Sequence, residues 1–427
     1  MLRRLLVSAL LIVPAVAGPA LAEGRGGASP DMSRSFPAAR LEQVDRALEE
    51  AVAKGLMPGA VFLIARDGET VHHRALGLLD PATGTAMPKD AIFRIGSMTK
   101  PVVTAAAMVM VEQGRLGLQE PVTRYVPEFV GLRVQTRSTD AAGNAVLGTA
   151  PPARPISIQD LMRHTSGFTY SFTGPATDPI RKAYIDQGIE QIEADLPADE
   201  MIRRLAGIPL AHEPGTTFEY GVSTDVLGIV LERIAGKRLD AVLDETIFRP
   251  LGMKDSGFTV KPADRARLAG FSAEDPLAAW LSGWMRVEGD RPQAYLSGGG
   301  GMVSTVPDYF RFAQMILDGG TVRGVRVLSR KSVELMLSDH LAGLSGGPAA
   351  YTGPGYGFGL GFAVRAQDGV SPVLGSKGDA TWFGVTGTTF VIDPREKLVA
   401  ILMAQAPSGR GQMRPLFRNL AYGAMAE

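Results

Sequence analysis

Apolar residues at Leu41, Val44, Leu48 and Val52 fall three and four positions apart, the spacing of one helix face, and predict a helix that ends near Lys54-Gly55. The apolar run Val61 to Ala65, the Asp67-Gly68 turn and the segment Thr70 to Leu76 predict a β-hairpin. Near the other end of the chain, Gly384 to Ile392, the Asp393-Pro394 turn and Leu398 to Ala404 predict a second strand pair, with a last helix from about Gln412. Between about 97 and 350 the pattern is helical or irregular, with no strong strand run. Thr224 to Ile234 reads as a helix with Ser223 as N-cap and Gly236 just past its end. Thr305-Val306-Pro307-Asp308 reads as a capping box opening a helix to about Leu317. Thr136 to Pro155, rich in Thr, Ala, Gly and Pro, reads as a surface loop. Strands at both ends and helices between them imply an α/β (α+β) fold: a sheet assembled from both chain ends, helices on its faces and a mainly helical insertion.

Composition narrows the functions open to such a fold. With 427 residues, 45% of them hydrophobic, the chain can bury a sizeable core. Lys+Arg and Asp+Glu both number 44, so no basic field is available for nucleic acid. Zero Cys excludes disulfides, zinc thiolate sites and a cysteine nucleophile. Arg3 and Arg4, the apolar stretch Leu5 to Ala17 and the small-x-small site Ala20-Leu21-Ala22 read as a secretory signal peptide over 1–22, followed by a Gly/Ser-rich leader over 23–34. The apolar stretch contains Pro14 and is shorter than the ~20 residues of a membrane span. The expectation is a periplasmic or secreted protein with no stable membrane insertion after signal removal.

Three segments carry candidate chemistry. Ser97-Met98-Thr99-Lys100 is the one S-x-x-K of the chain, and at a helix start the two side chains share a face. A lysine buried there loses part of its basicity and can take the serine proton, while the helix end offers backbone N–H groups to a developing oxyanion. Gly96 before it and the apolar run Val102 to Val111 after it place the motif in the interior. Tyr220, in Phe218-Glu219-Tyr220-Gly221-Val222-Ser223, precedes a helix and can present its hydroxyl to a site; a nearby ammonium would stabilise its phenolate. Trp382-Phe383-Gly384-Val385 reads as the start of a C-terminal strand.

In this order, the segments resemble the serine β-lactamase-like superfamily, and within it class C β-lactamases and family VIII carboxylesterases. Leu161-Met162-Arg163-His164-Thr165-Ser166-Gly167, Glu213-Pro214-Gly215, Pro250-Leu251-Gly252-Met253 and Gly300-Gly301-Met302-Val303-Ser304-Thr305 extend the resemblance from about Leu41 to the C-terminal helix. It implies a β-lactamase/transpeptidase-like domain over 35–427. An antiparallel sheet part (about 35–110 and 350–427) would face a helical part (about 111–349) across an active-site cleft. It further implies Ser97 as nucleophile, Lys100 and Tyr220 sharing the base role, and backbone N–H groups of Ser97 and Val385 as oxyanion hole, with no cofactor and no metal. Where class C enzymes have Y-x-N this chain has Tyr220-Gly221-Val222, and where they have K-T-G it has Trp382-Phe383-Gly384. The missing amide and cation at Val222 and Trp382 turn the expected substrate-binding set, Val222, Trp382, Phe383 and Gly384, toward small neutral esters with short or medium acyl chains. The alternatives are a β-lactamase or D-alanyl-D-alanine carboxypeptidase on the same fold, or a non-catalytic ligand-binding member.

A second serine competes with Ser97. Gly343-Leu344-Ser345-Gly346-Gly347 fits the nucleophile elbow of α/β-hydrolases, which requires a histidine later in the chain. His72, His73, His164, His212 and His340 all precede Ser345, so that reading fails. His164, inside a segment typical of the superfamily, is expected to be structural rather than catalytic.

Overall fold

A computed structural model describes residues 35–189, 196–287 and 293–426. The expected signal peptide (1–22) and leader (23–34) lie outside the described residues. Helix α1 (Ala38–Ala53) leads into the strands β1 (Gly59–Arg66), β2 (Glu69–Asp80) and β3 (Thr85–Ala86). The strands β4 (Tyr356–Phe358), β5 (Ala363–Arg365), β6 (Ala380–Phe383), β7 (Thr389–Asp393) and β8 (Leu398–Ala404) come from the other end of the chain. They form one eight-stranded antiparallel sheet in the order β4-β5-β6-β7-β8-β1-β2-β3, its two halves joined by the β1–β8 ladder from Ala60↔Ala404 to Arg66↔Leu398. The sheet built from both chain ends is thus present.

Both faces of its centre are covered, which is why β1 and β8 read as unbroken apolar runs rather than alternating ones. Val61, Leu63, Ile401 and Met403 face the larger core, together with α2 (Thr99–Glu112), α3 (Ser223–Ala235) and, beyond the short α4 (Ala278–Trp284), α5 (Val306–Leu317). Phe62, Ile64, Ala400 and Leu402 face the other way, against Val44 and Leu48 of α1 and Met413 and Phe417 of α6 (Arg410–Gly423).

Three local expectations are corrected. Thr136 to Pro155 is not a plain loop: Val134–Thr139 pairs with Ala145–Ala150 as a hairpin, so the region between 97 and 350 does contain a strand pair. Its first strand is polar and largely exposed beyond Val134, and no apolar alternation marks it. The N-cap of α3 is Val222; Ser223 is the first helical residue, and its hydroxyl meets that of Ser166 at 2.8 Å. At α5, Thr305 caps Asp308 N–H as expected, but the Asp308 carboxylate accepts from Asp255 N–H and Ser256 Oγ, so only half of a capping box forms.

Candidate active site

The serine loop is fixed from several sides before any chemistry is considered. Phe93–Arg94 pairs with Val303–Ser304, and Ile95 N–H donates to Met302 O at 3.0 Å. Gly96 follows with φ +51°, a left-handed conformation that glycine adopts without strain. Ser97 then sits in the single 3₁₀ turn Gly96–Met98 that opens into α2. The Thr99 hydroxyl donates to Gly96 O at 2.7 Å and accepts from Met302 N–H at 3.1 Å, while Tyr309 donates to Met98 O at 3.0 Å. α2 is apolar on nearly every side and buried from Thr99 to Met108, so its start is held by the core rather than by a cap of its own.

Ser97, Lys100 and Tyr220 converge. Tyr220 donates to Ser97 Oγ at 2.7 Å, and Lys100 Nζ donates to Ser97 Oγ at 3.1 Å, Tyr170 Oη at 3.2 Å and Gly299 O at 2.6 Å. Lys100 is fully buried; loss of hydration lowers its pKa to about 7, against the opposing pull of the Asp225 carboxylate. That carboxylate is itself anchored: Tyr295 and Ser297 hydroxyls and Gly299 N–H donate to Oδ1, and Tyr170 donates to Oδ2. Burial likewise pushes the Tyr220 phenol above its ordinary value, the hydrogen bonds with Ser97 and Trp382 opposing.

Trp382 and Phe383 are the last residues of β6, not the start of a strand; Gly384 to Thr388 form the turn into β7. That difference matters because a turn leaves backbone groups free of the ladder. The turn is stitched to the serine loop by Thr388 Oγ1 donating to Ile95 O at 3.1 Å and Thr386 Oγ1 to Arg94 O at 2.7 Å. Gly384 is needed for this approach, since a Cβ there would lie 2.1 Å from Ile95 O. Val385 N is in turn only 3.2 Å from where a Cβ on Gly96 would be, so this backbone nitrogen adjoins the serine loop.

The remaining expected site residues occupy different places. Trp382 is fully buried, packs against Tyr220 with ring centroids 5.2 Å apart, and donates its indole N–H to Tyr220 Oη at 3.3 Å. Phe383 is half-buried beneath the Arg414 guanidinium, 4.0 Å from its ring centroid, and Arg414 also donates to Gly384 O. Val222 is buried at the head of α3, with its N–H directed to Thr169 O. His164 is buried with φ +57°; its carbonyl accepts from Glu219 N–H at 2.9 Å, its Nδ1 from Gly221 N–H at 3.4 Å, and its ring lies 4.8 Å from that of Tyr220. Burial holds its imidazole well below the ordinary histidine range, hence neutral. Ser345 lies on an exposed loop whose backbone pairs with Thr216 and Phe218.

Tyr170, Asp225 and Arg414 were missed by sequence reasoning. Asp225 left a readable trace, a charged residue in an apolar helical run, but its place in the first turn of a helix offers an ordinary explanation. Tyr170 and Arg414 left none, because their partners lie 70 and 30 positions away.

Comparison with known proteins agrees with this architecture. The Beta-lactamase family matches residues 44–423. Protein Rv1367c of Mycobacterium tuberculosis is 36% identical over 368 residues, 84% of this chain and 88% of that protein. Esterase EstB of Burkholderia gladioli is 32% identical over 393 residues, 89% of this chain and 93% of the esterase. Among solved structures, EstCE1, described as a hydrolase with promiscuous acyltransferase activity, superposes with a TM-score of 0.74 at 30% identity, covering 90% of this chain and 98% of its own.

Proposed function

The chain belongs to the Beta-lactamase family, and on that premise we propose that it hydrolyses carboxylic esters through an acyl-enzyme on Ser97. The observation that carries this reading is the approach of Tyr220 Oη and Lys100 Nζ to Ser97 Oγ, at 2.7 and 3.1 Å. As an ammonium, Lys100 directs its three N–H groups at Ser97, Tyr170 and Gly299. With a pKa of about 7, a large share of it is neutral at physiological pH. Keeping the donors to Tyr170 and Gly299 then turns the lone pair to Ser97 Oγ. The serine oxygen bonds to the ester carbonyl carbon as its proton passes to Lys100, directly or through Tyr220. The carbonyl oxygen, now an oxyanion, faces the N–H groups of Ser97 and Val385. Collapse of the intermediate expels the alcohol, which takes the proton back by way of Tyr220, and water repeats the cycle on the acyl-enzyme. Because its pKa is raised, Tyr220 serves as a neutral phenol passing a proton rather than as a standing phenolate.

Esterase EstB and the hydrolase EstCE1 support an ester as the substrate class. The buried Trp382, whose N–H is taken up by Tyr220, supports a neutral one, since this position offers no cation to a substrate carboxylate. The N-terminal pattern around Arg3, Arg4 and Ala20-Leu21-Ala22 supports a periplasmic or secreted site of action. The test is hydrolysis of nitrophenyl butyrate and nitrocefin by wild type, Ser97→Ala and Ser345→Ala. Ester turnover lost in Ser97→Ala and kept in Ser345→Ala is expected, together with a higher specificity constant for the ester than for nitrocefin. Nitrocefin equalling the ester would replace this reading by the β-lactamase one.

A further inference from the structure

Phe172 and Trp280 are the only Phe, Tyr or Trp side chains exposed among the described residues, at 54% and 45%. A scattered exposed apolar residue is ordinary. These two share a setting that is not. Phe172 stacks on Tyr170 with ring centroids 4.8 Å and planes 13° apart, and Trp280 stacks on Trp284, one turn further along α4, at 5.6 Å and 12°.

The inner ring of each pair reaches the same short ribbon beside the serine. A Cβ on Gly299 would lie 2.9 Å from the Tyr170 hydroxyl, which receives a Lys100 N–H; a Cβ on Gly300 would lie 3.4 Å from the Trp284 ring and 3.9 Å from the Gly96 carbonyl carbon. Two adjacent glycines therefore meet the two inner rings, and each inner ring hands on to an outer ring that water reaches. Phe and Trp have few torsions to freeze, so covering them with a ligand removes apolar area from water at small entropic cost.

We propose that these two stacked pairs form the subsite for the apolar part of the ester, taking an aromatic or extended alkyl group that runs outward from Ser97. This inference rests on the esterase reading and extends it from short esters to those with a larger apolar half.

The experiment compares wild type with the double variant Phe172→Ser, Trp280→Ser in two substrate series. One is nitrophenyl acetate, butyrate, decanoate and phenylacetate; the other is ethyl, hexyl and benzyl acetate. Both outer rings are exposed, so their removal leaves the core filled, and a thermal melt checks this. In wild type, kcat/KM is expected to rise with apolar size in at least one series, and that series names the half of the ester the subsite holds. In the variant the ratio of the largest to the smallest substrate should fall about tenfold. A ratio within about twofold of wild type in both series, with acetate still hydrolysed, overturns the subsite and leaves the esterase reading standing. No ester turned over at any length by wild type would overturn both.

Discussion

Lys100 is the residue on which the proposed chemistry turns, and its environment sets two expectations. The base must be unprotonated, so kcat/KM should rise with pH through about 7 and then level. Beside it, Tyr220 is pushed up by burial and His164 well down, and Asp225 is the charge that raises the lysine pKa against burial. The carboxylate raises the lysine pKa, so Asp225→Asn should move the rising limb of the profile to lower pH; a limb that stays in place would mean that another group sets it. A second expectation concerns pairing. Lys100→Ala and Tyr220→Phe should each cost activity steeply, and the double variant should lose little more than the worse single one, because groups passing one proton are non-additive. Losses that multiply in a double-mutant cycle would show that the two work separately.

At the level of elements, the turn between β6 and β7 decides whether Val385 N–H can serve an oxyanion. Gly384→Ala would put a Cβ 2.1 Å from Ile95 O and 2.4 Å from Thr388 Oγ1, and the turn must move off the serine loop. Loss of one oxyanion donor costs roughly 10²- to 10³-fold in kcat, so a drop of that size with KM changed far less is expected from steady-state kinetics. A loss confined to KM would remove Val385 from the proposed role. This turn also marks where the sequence stopped being legible. Period-3.6 and apolar-run patterns place α1, the β1–β2 hairpin and β8 near their observed positions, because each buries a face against the sheet or packs in its centre, and the Thr305 cap places the start of α5, whereas the strand read from Gly384 begins only at Thr389. Trp382 and Phe383 carry no such period, and their place at a strand end depends on pairing with Phe390 and Thr389. Ser97, Lys100 and Tyr220 are readable as a spacing and a family pattern. Tyr170, Asp225 and Arg414 act through contacts between distant segments, which no local pattern encodes.

For the molecule as a whole, the candidate site lies where the sheet's C-terminal half meets the helical part, and Lys100, the proposed base, is buried there. Placing Lys100 there costs stability, in a manner that depends on pH. In the unfolded chain a lysine titrates near ~10.4, whereas here it titrates at about 7. Between these values the unfolded state binds a proton that the folded state lacks, so the stability contribution of this group rises with pH across the window. Below about 7 both states are protonated and the full cost remains; above the window both are neutral and it vanishes. Lys100→Met removes the titration while keeping an apolar side chain of similar length. The wild-type unfolding free energy, measured by denaturant titration, should therefore gain on that of the variant by about 1.4 kcal/mol per pH unit within the window. Groups distant from Lys100 are common to both proteins and cancel in the difference, and His164, which feels its charge, is held by burial well below the window. Parallel stability curves from pH 7 to 10 would mean that the lysine titrates alike in both states, and a lysine left at its ordinary pKa could not supply the neutral amine on which the proposed acylation of Ser97 depends.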